Sequence, residues 1–462
     1  CGLGFQLSEG RFEPQLTACP SGELSLLGDL CHGIGPWKEN SGLECPPDLV
    51  DIEAPAGCDP EPASCPDGTL ALLSGDCVSI GPQDICGPAP YGNLPTGAGV
   101  EIVYVNGSST SSQELGTVDD PFKTIEAGLH AVPDGGYVAI TAGTYDEGIL
   151  FFQDEDGAPI TKSLHVIGRC SEMVHVTGGH YYSYTNDPDD ISYRTSLFIQ
   201  TDGDDVSIKG IHATYEVTAK SSDSSTIANV VVDKAGYAGV YAFGGYVATV
   251  QQVAVLGNDK SNGNHSWGII ADAGTAATVT GSRVEDAHRR GIYVESYLDA
   301  TVTECLVDTV EQSLVEPYDG FGVMAVGDDI LIEDNTILRA RTAGIRIADP
   351  GESEIRRNRI EEGNPGGLGG NGVGIWCSDT DAVHVENNIF RDNHLIGVYA
   401  EEVEGVEVEG NLIDGTWSAV PELGYTSKGI RLFDVEESEI RDNIIRRSGD
   451  FLGAGLSVTG GD

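Results

Sequence analysis

Ile332-Glu-Asp-Asn-Thr-Ile337, Ile355-Arg-Arg-Asn-Arg-Ile360, Val385-Glu-Asn-Asn-Ile-Phe390, Val408-Glu-Gly-Asn-Leu-Ile413 and Ile440-Arg-Asp-Asn-Ile-Ile445 are five copies of one frame. The frame is an aliphatic residue, two variable positions, Asn, one variable position and a second apolar residue. Its asparagines, Asn335, Asn358, Asn388, Asn411 and Asn443, are spaced by 23, 30, 23 and 32 residues. A unit of this length cannot bury its own apolar face, so copies must stack. Apolar and polar residues alternate with period two, which makes the units strands.

The frame continues upstream with Ile211, Val230, Val253, Ser282 and Cys305 at the Asn position. Each copy also carries a strand opening on glycine: Gly239, Gly268, Gly291, Gly322, Gly344, Gly374, Gly397 and Gly429. The arc from glycine to the next ladder position is nearly constant in length, whereas the other arc is extended in alternate copies. A closed rung of about 23 residues stacking at about 4.8 Å is a parallel β-helix. The pattern therefore predicts an all-β solenoid with two interior stacks. One is Ile332, Ile355, Val385, Val408 and Ile440; the other is Ile337, Ile360, Phe390, Ile413 and Ile445. The Asn stack is expected at a corner, adopting the left-handed conformation and bonding adjacent rungs.

The chain has 73 acidic and 25 basic residues, a formal net charge of −48. Such a surface repels nucleic acid and anionic lipid. No run approaches the roughly 18 apolar residues of a membrane span. Eight of the 11 cysteines lie in residues 1–86. Cys19-Pro-Ser-Gly through Cys31 and Cys65-Pro-Asp-Gly through Cys77 form a duplication with equal Cys spacing, each followed by Ile-Gly-Pro. Small Cys-dense, Pro-rich modules use disulfides in place of a core, so Cys19–Cys31 and Cys65–Cys77 are the expected pairs. Cys305 and Cys377 occupy different frame positions and are expected to be reduced. The disulfides imply an extracytoplasmic protein. Cys1 at the start of the chain is a candidate for lipidation, which would tether the protein to a membrane without spanning it.

Three regions follow. Residues 1–95 form a disulfide-rich segment, 96–136 a leading strand and capping helix, and 137–462 the β-helix. The helix is expected within 119–133, opened by an Asp cap before Pro121. Phe122, Ile125, Leu129 and Val132 would share the face that covers the first rung. No closing element is evident at the C-terminal end, which leaves end-to-end assembly into a fibre as one reading.

Pro121-Phe-Lys-Thr-Ile125, Ala142-Gly-Thr-Tyr145 and the Asn-x-Ile rungs together resemble bacterial right-handed parallel β-helix repeat proteins of the pectate-lyase-like superfamily. The resemblance covers residues 101–462. It implies the fold and leaves the activity open, because the superfamily includes lyases, hydrolases, epimerases and non-catalytic surface proteins. Gly-His-Gly and Arg-Ile-Lys, which mark hydrolases of that superfamily, are absent from the sequence.

Four long loops, 256–267, 308–321, 361–373 and 414–428, interrupt alternate rungs at one corner. They carry Asp259, His265, Trp267, Glu316, Tyr318, Asp319, Trp417 and Tyr425, a mixture of aromatic rings and carboxylates suited to sugar rings. Two acidic turns, Asp187/Asp189/Asp190 and Asp202/Asp204/Asp205, could supply oxygen ligands to calcium without completing a calcium-loop motif. Arg289 with Arg290, or Arg341 with Arg346, could act as a base, but no carboxylate partner is assignable from sequence. The expectation is a bacterial cell-surface or secreted protein, non-catalytic, binding a glycan or a surface protein. The alternatives are a calcium-dependent polysaccharide lyase or hydrolase, and a subunit of an extracellular fibre.

Overall fold

A computed structural model describes residues 65–83 and 86–460, except 155, 183–192, 258–265, 312–318, 349–350, 364–371, 417–426 and 447–453. Within residues 1–64 it describes the backbone of six strands. The chain divides into two compact units: residues 1–65 with 73–76, and residues 66–72 with 77–462.

In the first unit the strands pair as antiparallel hairpins: Phe5–Ser8 with Arg11–Pro14, Glu23–Leu26 with Leu30–Gly33, and Leu49–Ile52 with Gly57–Pro60. The duplicated motif gives a hairpin both times, the second being Thr69–Ala71 with Cys77–Ser79. Cys65 and Cys77 are both disulfide-bonded, as the 12-residue spacing predicts. Cys1, Cys19 and the side chain of Cys31 lie outside the described residues.

The second unit is a coil with three faces. Face A begins with Ile102–Val105, Gly136–Ile140 and Leu164–Gly168, and ends with Ala382–Glu386, Gly405–Glu409 and Glu437–Arg441. Face B includes Arg283–Ala287, Leu306–Val310, Thr336–Ala340, Arg359–Glu361, Ile389–Arg391, Leu412–Asp414 and Ile444–Arg446. Face C is a 13-stranded sheet that runs from Ile149–Phe151 to Ala454–Thr459. Neighbouring rungs pair in parallel on every face.

Both predicted interior stacks are in register. Ile332 lies over Ile355, then Val385, Val408 and Ile440. Ile337 lies over Ile360, Phe390, Ile413 and Ile445. Most of these side chains are fully buried, so the core is a continuous column of aliphatic layers. The glycine stack faces this column from the opposite wall. A Cβ on Gly397 would sit 2.7 Å from Ile413 Cγ2 and 2.7 Å from the Gly429 carbonyl oxygen. Glycine is required there because face B side chains and the next rung's backbone fill the space.

The asparagine ladder forms, with one correction. The left-handed residue is the one before each ladder position: Glu304, Asp334, Arg357, Asn387 and Asp442, with Gly281 and Gly410 in the same role. The ladder asparagine itself turns its amide inward. Asn388 Nδ2 donates to Ile355 O (2.8 Å) and to Asn411 Oδ1 (3.0 Å), while its Oδ1 accepts from the backbone and side-chain nitrogens of Asn358 (2.9 and 3.0 Å). These bonds satisfy a buried amide completely, which is the physical requirement at such a site. Ser282 and Cys305 continue the column upstream: Val253 N–H donates to Ser282 Oγ (3.2 Å), and Cys305 N–H to Asn335 Oδ1 (2.9 Å).

The helix is shorter than expected, Ile125–Ala131, and Thr124 rather than Asp119 or Asp120 caps it. The reason lies in Phe122. Its backbone bridges the leading strand, donating to Tyr104 O (2.9 Å) and accepting from Asn106 N (2.8 Å), so residues before Thr124 are extended. Glu147 completes the cap by accepting from Ile125 N (3.0 Å) and Glu126 N (3.1 Å). Ile125 and Leu129 are buried against Val105 and Val138, and so close the first rung.

Residues 77–95, read from sequence as the end of the Cys-rich segment and a linker, belong to the coil unit. Gly81 N–H donates to Gly281 O (2.8 Å), and Gln83 N–H to Asn229 Oδ1 (2.9 Å). Cys86 and Cys170 form a disulfide spanning 84 residues. Cys305 and Cys377 are free and buried.

Candidate functional site

Face C alternates inward and outward positions, although outward Ile270 is covered by neighbouring side chains. Val240 and Ala242, Ile269 and Ala271, and Ile292 and Val294 point into the core and are fully buried. The intervening residues therefore line up on the outer surface. One outer column reads Tyr241, Ile270, Tyr293, Met324, Arg346, Trp376, Tyr399 and Arg431; the next reads Lys220, Phe243, Asp272, Glu295 and Val326.

The second column ends at the corner where face C turns into face A, and a cavity of about 400 Å³ opens there. Phe243, Asp272, Glu295, Tyr297 and Val326 line it, over a floor that includes Gly244, Gly245, Ala273, Gly274 and Gly327. Tyr246 and Tyr297 stand on this corner 61% and 80% exposed, and they are two rungs apart with Gly274 and Thr275 between them. Two rungs correspond to roughly 10 Å along the coil.

The polar groups in and beside the cavity are coupled. Tyr241 Oη donates to Asp272 Oδ2 (3.4 Å), and Tyr293 Oη to Glu295 Oε2 (2.6 Å). The Lys220 ammonium lies over the Tyr241 ring, 4.7 Å from its centroid. Burial, reinforced by the negative charge of Glu295, pushes the Asp272 carboxyl up to about 6. Burial also lowers Lys220, and raises the Tyr241 and Tyr293 hydroxyls. A carboxyl that takes up its proton near pH 6, next to a second carboxylate, can exchange protons in that range.

The two described sequence-derived loop candidates, Trp267 and Asp319, do not line this cavity. Trp267 is 9% exposed, stacked on Tyr237 (centroids 5.6 Å apart) and covered by the Arg290 guanidinium at 4.5 Å. Asp319, 5% exposed, pairs with Arg289 Nε (2.6 Å) and Arg290 (3.6 Å). The structure thus joins these two candidates through the arginine pair into a buried cluster. Asp259, His265, Glu316, Tyr318, Trp417 and Tyr425 lie outside the described residues. The ends of all four long loops are described: each leaves the last residues of a face B strand and returns into a face C strand, so their anchors share one corner.

Asp187, Asp189 and Asp190 also lie outside the described residues. Asp202, Asp204 and Asp205 are exposed. Among the described residues no group of three or more His, Cys, Asp or Glu side chains is arranged to hold a metal ion.

The cavity residues were not evident from sequence. Their only signal is the outward phase of the glycine-initiated strands, which places Lys220, Phe243, Asp272 and Glu295 in one column once the register is known.

Residues 322–462 match the family described as right handed beta helix region, and residues 222–369 match that described as periplasmic copper-binding protein (NosD). The chain is a right-handed parallel β-helix repeat protein. No curated protein matches the chain. Among solved structures it is similar to the GH136 lacto-N-biosidase from Eubacterium ramulus, at 11% identity and a TM-score of 0.45, covering 75% of this chain and 68% of that one. It is also similar to pectate lyase Pel9A, at 16% identity and 0.40, covering 75% and 80%. A third is the Azotobacter vinelandii mannuronan C-5 epimerase AlgE6 A-module, at 11% and 0.33, covering 73% and 94%. At such identities the likeness concerns the fold.

Proposed function

We propose that this is an extracytoplasmic carbohydrate-binding β-helix whose binding site is the corner cavity of face C. The observation that carries this reading is the cavity itself, lined by Phe243, Asp272, Glu295 and the 80% exposed Tyr297 beside Gly244, Gly245 and Gly274. Sugar rings present apolar C–H faces to aromatic side chains and hydroxyls to carboxylates, and the cavity offers both. Exposed aromatics concentrated at one cavity also exceed what solubility requires of a surface with net charge −48. The Cys86–Cys170 disulfide supports residence in an oxidising compartment, as does the match to a family described as periplasmic. Lipidation at Cys1, a calcium ion at the acidic turns and assembly through the chain end remain separate proposals.

The test is a glycan array probed with the native protein and with Tyr297→Ala. Tyr297 is 80% exposed, so the variant folds normally. Binding lost in the variant at unchanged melting temperature supports the reading. Equal binding by both proteins, or no binding by either, refutes it.

A further inference from the structure

We propose that the corner between faces A and B, where residues 81–83 and 86–93 lie against the coil, holds a binding site for a tetrahedral oxyanion. The ligand class is phosphate or sulfate, free or as the ester group of a small solute. The site shares no lining residue with the face C cavity and does not depend on the carbohydrate reading.

Three successive rungs build one wall. At this corner the chain passes Gly168-Arg169, then Lys209-Gly210, then Asn229. Gly210 and Asn229 are left-handed there, at φ 69° and 51°. The opposite wall comes from the chain that precedes the coil. Gln83 N–H donates to Asn229 Oδ1 (2.9 Å), Arg169 Nε donates to Gly87 O (3.3 Å), and Cys86 is bonded to Cys170. A cavity of about 290 Å³ remains between the walls. Arg169, Lys209, Gln83, Asn93 and Asn229 line it, beside Gly168 and Gly210.

Every polar side chain in this lining can donate hydrogen bonds, and two are cations. The described lining holds no carboxylate, in a chain with 73 acidic and 25 basic residues. Elsewhere on the coil arginines are neutralised: Arg356, Arg357 and Arg441 each pair with acidic neighbours. Among the described residues Arg169 and Lys209 pair with no acidic side chain, and Nε is the one engaged donor of Arg169. Because Asn229 Oδ1 is taken by Gln83 N–H, its Nδ2 is the end left for a ligand.

These donors suit an oxyanion. A guanidinium fork grips two oxygens, an ammonium binds a third as a point charge, and amide nitrogens fill further lone pairs. Donors converging from two walls match a tetrahedral group better than a flat carboxylate. The cavity is also pre-formed, which lowers the ordering cost of binding. The disulfide adjoins Arg169, and the corner is so tight that a Cβ on Gly168 would collide with Gly210 O. At about 0.15 M salt the Debye length is about 8 Å, so the distant acidic surface is screened and the local cations decide.

The test is calorimetric titration of the full chain with sodium phosphate and with phenyl phosphate, at ionic strength held constant with sodium chloride. The native protein should bind saturably at one site. Lys209→Glu should weaken phosphate binding about 10-fold or more, through a lost charge-assisted hydrogen bond and added repulsion. Lys209 is exposed, so the variant should keep the native melting temperature. Lys234→Glu makes the same charge change at an exposed residue outside the cavity and should bind as the native protein does. Tighter binding of phenyl phosphate assigns the site to an ester, and equal binding assigns it to the free ion; both support the site. No saturable binding by the native protein overturns it. So does equal weakening in the two variants, which would reflect net charge alone.

Discussion

Asn388 Nδ2 lies 3.0 Å from Asn411 Oδ1 in the following rung, and the backbone N–H of Asn388 donates to the same oxygen at 2.8 Å. One side-chain amide thus serves two donors from its neighbour and passes its own protons onward. Because Asn335, Asn358 and Asn411 donate to the next ladder amide in the same way, the column from Asn335 to Asn443 is a single hydrogen-bonded chain.

Replacing Asn388 with Ala takes the side-chain acceptor from Asn358 N and from one Asn358 Nδ2 proton, and one donor each from Ile355 O and from Asn411 Oδ1, which keeps the Asn388 backbone N–H. Leaving buried polar groups unpaired costs about 1–3 kcal/mol each. Partial relaxation should bring the total to about 3 kcal/mol. Urea unfolding of Asn388→Ala measures it, and an unchanged midpoint would disprove the ladder's structural role.

Gly397→Ala should destabilise by about 1–3 kcal/mol, the usual range for an overpacked core, because its Cβ meets Ile413 and the Gly429 carbonyl at 2.7 Å. Gly405→Ala on face A, where the nearest atom is 3.6 Å away, is the control and should be nearly neutral. Thermal melts of the pair should separate clearly.

Trp267→Ala should cost about 3 kcal/mol, within the range for deleting a buried aromatic. The ring is wedged between Tyr237, Tyr293 and the guanidinium of Arg290. Glycan binding at the face C cavity should survive in whatever fraction remains folded. Weakened binding without stability loss would return Trp267 to the ligand-contacting role expected from sequence.

The raised Asp272 carboxyl makes a pH prediction. Its folded value, about 6, lies above the ordinary 3.8, so between those values the folded state holds more protons than the unfolded one. Stability from this group is therefore present below about pH 4 and lost as pH rises through 6. Asp272→Asn should stabilise the protein at pH 7.5 by about 1 kcal/mol, after allowing for solvent screening, and make no difference near pH 4. Glu295, Lys220 and Tyr241 remain in place in the variant. Melting curves at both pH values test the sign.

Severing Cys86–Cys170 by a double change to Ser should lower stability by about 4.5 kcal/mol, the chain-entropy value for a loop of 84 residues. Cys305 and Cys377 should stay unreactive towards Ellman's reagent in the native protein, since both are buried and burial pushes each thiol up to about 12. Rapid labelling of either would contradict the buried assignment.

The repeat was legible from sequence because a solenoid turns spacing directly into space. Once rungs stack in register, residues at one frame position must lie above each other, so both aliphatic stacks and the Asn column follow from counting. The corner of the Asn turn was misplaced by one residue because spacing does not report φ: Arg357 and Glu304, poor left-handed formers by type, are held there by the rungs on either side. The helix start was misplaced because Phe122 pairs with a strand more favourably than it extends a helix, a tertiary effect no local cap signal carries. The candidate site divides in the same way. Aromatic and acidic residues concentrated in the loops drew the reading there, yet Trp267 and Asp319 are consumed in packing and ion pairing. The cavity of Phe243, Asp272, Glu295 and Tyr297 joins residues from three rungs on the outward phase of face C. Sequence by itself determined the coil, its period and its interior. Only the tertiary register decided which outward side chains meet, since a polar position outside the core is constrained by its neighbours across rungs and not by its neighbours along the chain.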